Sequence, residues 1–207
     1  MKPMDEKVMA MLNEAEARHK SAPSSRADRA DLSELLVEID GEKVLFHEQE
    51  LFDGRVRITM LRTFRQMTRQ EAAVKYPSER RPALIFTNDD LTVNLTFNHT
   101  ANVLDEADVE EFKDAMAQIT RSTQPVREWI GDGVRRTEEK TFGYCEFMSP
   151  ALNTNIYNLL IFISLDKRFL ICTFNCTEED RKAWRPAALS MLDSLQVHEI
   201  AEGGLNR

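Results

Sequence analysis

Glycine is scarce in this chain, with seven in 207 residues and none in the spacing of a loop that cradles phosphate. No Gly-x-Ser-x-Gly elbow occurs, which removes a common hydrolase signature. Cysteine is rarer still. Three cysteines, an odd number, argue against a disulfide framework, and zinc-ligand spacings are absent. Cys172 and Cys176 lie four apart in a strand-like run. At about 3.3 Å per residue they stand roughly 13 Å apart, too far for one metal or one bridge. The histidines, His19, His47, His99 and His198, are scattered. No apolar run approaches the roughly 20 residues of a membrane helix. The first twenty residues, MKPMDEKVMAMLNEAEARHK, lack the apolar centre of an export signal. These absences point to a cytoplasmic protein with no cofactor, no metal and no membrane span. The net charge of −8 argues against nucleic acid as a partner.

What is present is patterning. Residues 91 to 100 read LTVNLTFNHT, with Leu91, Val93, Leu95 and Phe97 alternating with Thr92, Asn94, Thr96, Asn98 and Thr100. Alternation of that length predicts a strand with one face in a core and a polar ladder facing outward. Asn is a poor strand former, so Asn94 and Asn98 call for a reason. One reason is a solvated face; the other is a surface that hydrogen-bonds a peptide.

Asp40-Gly41, Asp53-Gly54 and Asp132-Gly133 each separate strand-like runs, and Asp-Gly suits two-residue hairpin turns. Asp166-Lys167 predicts a fourth hairpin, between YNLLIFISL and RFLICTF. Both of those runs read as apolar on both faces and therefore central. Thr68 and Glu71 form a capping box for a short helix ending near Tyr76-Pro77. Asp105 caps a long helix with Val109, Phe112, Met116 and Ile119 as its apolar stripe. A last helix after Thr177 buries Trp184, Ala188, Met191 and Leu195. The expected fold is α+β, an α/β/α sandwich whose mostly antiparallel sheet has about six or more strands. Residues 4–19 repeat apolar groups at helical spacing, so 1–30 reads as a helical arm and linker. Residues 31–200 read as one domain and 201–207 as a tail.

The order of these elements resembles the Mog/PsbP-like fold family, with its DcrB-like bacterial domains, Eag-type secretion chaperones, Ran-binding Mog proteins and PsbP subunit. The matching stretches are ELFDGRVRITMLRTF, KYPSERRPALIFTNDDLTVNLTFNHT, GYCEFMSP, YNLLIFISLDKRFLICTFNC and EEDRKAWRPAALSMLDSLQV. Leu61-Arg62-Thr63-Phe64 lacks the proline usual in relatives. The resemblance implies a non-enzymatic binding or scaffold domain and carries over no site residue.

Two functional readings follow from the residues. The first is a protein-interaction module, adaptor or chaperone-like, that works as a homodimer or on another polypeptide. Charge is uneven: Arg55 to Arg81 holds eight Lys/Arg and two acids, while Asp105 to Asp114 holds six acids and one lysine. If residues 83–85 pair with 93–95, Arg80 and Arg81 come near Asn98. Arg80, Arg81, Asn94, Thr96 and Asn98 then form one surface suited to an acidic or polar peptide. The alternative is a small-molecule-binding or thiol-dependent hydrolytic protein. It would use Cys176, placed before a helix N-terminus, with His99 as base.

Overall fold

Alternating apolar residues and well-placed turns build most of this molecule from antiparallel hairpins. The computed structural model describes residues 34–39, 41–78 and 81–198. The expected arm at 4–19, Arg80 and the tail at 201–207 lie outside the described residues. Strands β1 (Glu34–Ile39), β2 (Glu42–Leu51) and β3 (Val56–Leu61) join β11 (Gln196–Val197) in a small sheet of order β1-β2-β3-β11. The large sheet has seven antiparallel strands in the order β4-β5-β6-β10-β9-β8-β7. These are β4 (Arg65–Gln66), β5 (Leu84–Thr87), β6 (Asn94–Val103), β7 (Glu128–Arg136), β8 (Thr141–Ala151), β9 (Thr154–Leu165) and β10 (Arg168–Thr177). Among the described residues three α-helices accompany the sheets: α1 (Arg69–Lys75), α2 (Val109–Thr123) and α3 (Arg181–Asp193).

Side chains directly opposite across antiparallel strands share a face. One face of the large sheet therefore carries Leu95, Phe97, Cys172, Phe174, Ile161 and Tyr157, and it packs with the small sheet and α3 into the main core. The other face carries Ile85, Phe147, Leu160 and Phe162. There α1 packs Ala72 near Ile85 and Met67, and α2 packs Val109 and Ala117 among Cys145, Phe147, Leu160 and Phe162.

Local signals hold at several points. Thr68 and Glu71 cap α1 reciprocally, Thr68 N donating to Glu71 Oε2 at 2.8 Å and Glu71 N to Thr68 Oγ1 at 3.3 Å. Asp166 (φ 51°) and Lys167 (φ 56°) give the left-handed pair a tight β9–β10 hairpin requires. Other expectations are corrected. Asp132-Gly133 is no turn, because it lies mid-strand in β7, with Asp132 opposite Cys145. Its carboxylate accepts from Lys113 Nζ (2.9 Å), Arg121 Nη2 (3.0 Å) and Trp129 Nε1 (2.9 Å). Gly133 leaves room for Tyr144, whose hydroxyl lies 2.8 Å from where a Cβ would sit. The β2–β3 connection is longer than two residues, running through Phe52, Asp53 and Gly54, all with positive φ, to Arg55. Asp105 opens a 3-10 turn over Glu106–Asp108 and makes no side-chain cap. Helix α2 is rolled from its expected stripe, since Val109, Lys113, Ala117 and Thr120 are buried while Ile119 is 50% exposed. The cause is Lys113, whose ammonium binds Asp114 and Asp132 and whose stem lies against Gly143. Trp184 is only half-buried, stacked on Phe64.

Candidate functional site: an open strip on the large sheet

The polar ladder of β6 is not uniformly outward. Asn94 is fully buried and Thr96 is 4% exposed, whereas Asn98 and Thr100 are half-buried. Asn94 is consumed inside the fold. Thr87 Oγ1 donates to Asn94 Oδ1 at 2.9 Å, and Asn94 Nδ2 donates to Asn175 Oδ1 at 2.9 Å. Side-chain pairing across β5, β6 and β10 explains a strand-averse residue in the middle of a sheet. The β5–β6 register also differs from expectation, with Ile85 opposite Thr96 and Leu84 opposite Phe97, an offset of three. Of the expected surface, Arg81 and Asn98 are half-buried, Asn94 and Thr96 lie inside, and Arg80 is outside the described residues.

The register brings other residues to the same face. Asn98 lies opposite Ile171, Thr96 opposite Thr173, and Asn94 opposite Asn175. Ile171, Thr173 and Asn175 are all half-buried although β10 is the central strand of seven. The sequence reading of β10 as covered on both faces therefore fails on this side. Ile171-Thr173-Asn175-Thr177 is itself an alternating, increasingly polar row, and that signal was present in RFLICTFNCT. Among the described residues the strip is uncovered because α1 sits over β5 and α2 over β8. The rotated face of α2 borders it with Phe112 and Met116, helical spacing continues that stripe to the half-exposed Ile119, and the Phe112 ring lies 4.5 Å from that of Phe169. At the N-terminal end of α2 a pocket of about 410 Å³ is lined by Val103, Leu104, Asp105, Asp108, Glu111, Phe112 and Ala115.

The thiol alternative does not assemble. Cys176 is fully buried, and burial, aided by Asp180, pushes its thiol up to about 12. His99 pairs in register with Leu170, six residues along β10 from Cys176, which is roughly 20 Å at strand rise. Its Nε2 lies 3.1 Å from the Leu165 carbonyl oxygen, and its ring packs edge-on to Phe52. Cys145 and Cys172 are also buried free thiols shifted upward by burial. Near Cys176, buried Glu146 accepts from Tyr157 Oη at 2.8 Å and from Arg185. That cluster ties α3 to β8 and β9. Among the described residues no three His, Cys, Asp or Glu side chains gather as metal ligands. No described helix is long and apolar enough to cross a membrane.

No protein-family model matches the sequence, and no curated protein is similar to it. The chain is similar to several solved structures. Cyanobacterial PsbP (CyanoP) from Synechocystis sp. PCC 6803 superposes with a TM-score of 0.52 at 11% identity, covering 74% of this chain and 92% of that one. LpqN of Mycobacterium tuberculosis, a protein involved in cell envelope biogenesis, gives 0.49 at 10% identity, covering 86% and 99%. TplEi, a T6SS immunity protein of Pseudomonas aeruginosa, gives 0.40 at 12% identity, covering 97% and 86%. The chain has the Mog/PsbP-like fold.

Proposed function

We propose that this protein is a non-catalytic interaction module that receives a segment of another polypeptide on the strip between α1 and α2. The observation that carries the reading is the partial exposure of Ile171, Thr173 and Asn175 on the central strand of a seven-stranded sheet. A central strand is normally covered on both faces, so this gap in the helical layer is where a partner completes the sandwich. Hydroxyl and amide groups on the floor give direction and register, while the apolar flank of α2 supplies buried area. The deep burial of all three cysteines supports a binding role over thiol chemistry.

The test uses Thr173→Trp, which fills the strip from its floor without touching the main core. Affinity capture from native lysate with mass spectrometry should recover a protein with the parent chain and lose it with the variant. The melting temperature should stay within a few degrees, as for substitutions at partly exposed positions. A partner retained at equal yield by the variant would exclude the strip as the binding surface.

A further inference from the structure

Helices packed side by side lie about 8–10 Å apart. Here α1 packs on Ile85 of β5, while α2 packs its Lys113 stem against Gly143 of β8. Four strand spacings separate β5 from β8 in the order β5-β6-β10-β9-β8, about 19 Å at roughly 4.8 Å each. Among the described residues the layer is therefore open by the width of one helix. An extended strand lying on this floor would leave Ile119 in water, whereas a helix covers floor and wall together.

The charges bordering that opening are not balanced among the described residues. On the α2 segment, Glu106 pairs with Lys140, Glu110 with Arg136, and Asp114 with Lys113. Asp105, Asp108 and Glu111 share the pocket beside Phe112 with Val103, and the ion pairs of this segment among the described residues go to Glu106, Glu110 and Asp114 instead. Acids elsewhere on the segment are neutralised by cations; among the described residues those lining the pocket are not. Resting on the reading that the strip is a binding surface, we infer that its occupant is an amphipathic helix of another protein with Lys or Arg along the flank facing Asp105, Asp108 and Glu111. Its apolar stripe packs on Phe112, Met116 and Ile119. From Asp108 to Ile119 the wall rises about 16 Å at roughly 1.5 Å per residue, so the docked portion is about three turns long. This reverses the acidic partner expected from Arg80 and Arg81.

A phage-displayed library of helix-stabilised peptides, selected on the full chain, tests the inference. Enriched peptides should carry Leu, Met or Phe at i, i+3, i+4 and i+7 with Lys or Arg on one flank. Their affinity should fall about tenfold in the exposed double reversal Asp108→Lys/Glu111→Lys, equivalent to ~1.4 kcal/mol, and more steeply at low salt. It should also fall in Ile119→Glu and in Thr173→Trp. Peptides blocked by Ile119→Glu and Thr173→Trp but acidic, or apolar at every second residue, would keep the strip as a binding surface and overturn the basic helix. Peptides unaffected by both of those variants, or a library with no enrichment, would overturn both.

Discussion

Glu146 shows how single residues set the terms for this fold. It is 3% exposed, and burial alone would raise its pKa. The hydrogen bonds from Arg185 and Tyr157 outweigh that cost and hold the carboxyl below its ordinary value. Asp132 is lowered in the same way, with burial opposed by Lys113 and Trp129, and Glu71 is held at about 2 by Arg65 and Thr68. A carboxyl depressed in the folded state stabilises above its unfolded pKa, and that stability is lost as pH falls through the folded value. Thermal stability should hold from neutral pH down to the usual carboxylate range and then fall on further acidification. In Glu146→Gln that acid limb should be shallower, read as melting temperature against pH; an unchanged limb would show that the pair contributes nothing. Arg185→Met should cost about 2 kcal/mol by chemical denaturation, because it strands a buried carboxylate, discounted for the partial exposure of the arginine. The three thiols carry a sharper prediction. Their burial keeps them protonated, so the native protein should resist alkylation at mildly alkaline pH while all three react after unfolding.

At the scale of elements, legibility follows how local each signal was. The α1 capping box and the Asp166-Lys167 hairpin depend on residues within a few positions, and both appear where the sequence puts them. Asp132-Gly133 has the same local chemistry as a turn yet lies in a strand, because Lys113 and Arg121, distant in sequence, take its carboxylate. The roll of α2 was illegible for the same reason: Lys113 is buried only because Asp132 and Gly143 are there to receive it. Likewise Asn94 looked outward by alternation, but its partners Thr87 and Asn175 come from other strands. Two expectations belong here. A Cβ at Gly143 would lie 2.7 Å from the Cβ of Lys113, so Gly143→Ala should lift α2 from β8 and cost ~2 kcal/mol. Lys167→Gly relieves a left-handed residue whose Cβ costs about 1 kcal/mol, so it should raise the melting temperature by a few degrees.

For the molecule as a whole, a sheet of seven strands carries a small sheet and α3 on one face. On the other, α1 and α2 leave β6 and β10 partly open. Sequence patterning conveyed the antiparallel sheet and its helices, but it assigned the polar surface to β6 alone. Half of that surface belongs to β10, and its wall to a helix turned away from its expected face. The open strip is the proposed docking surface. A photo-crosslinking residue at Thr173, compared in the source cells with one at exposed Lys182 on α3, tests it directly. Docking on the strip predicts a covalent adduct to a polypeptide at Thr173 and none at Lys182. Adducts at Lys182 alone, or at both positions in equal yield, would contradict it.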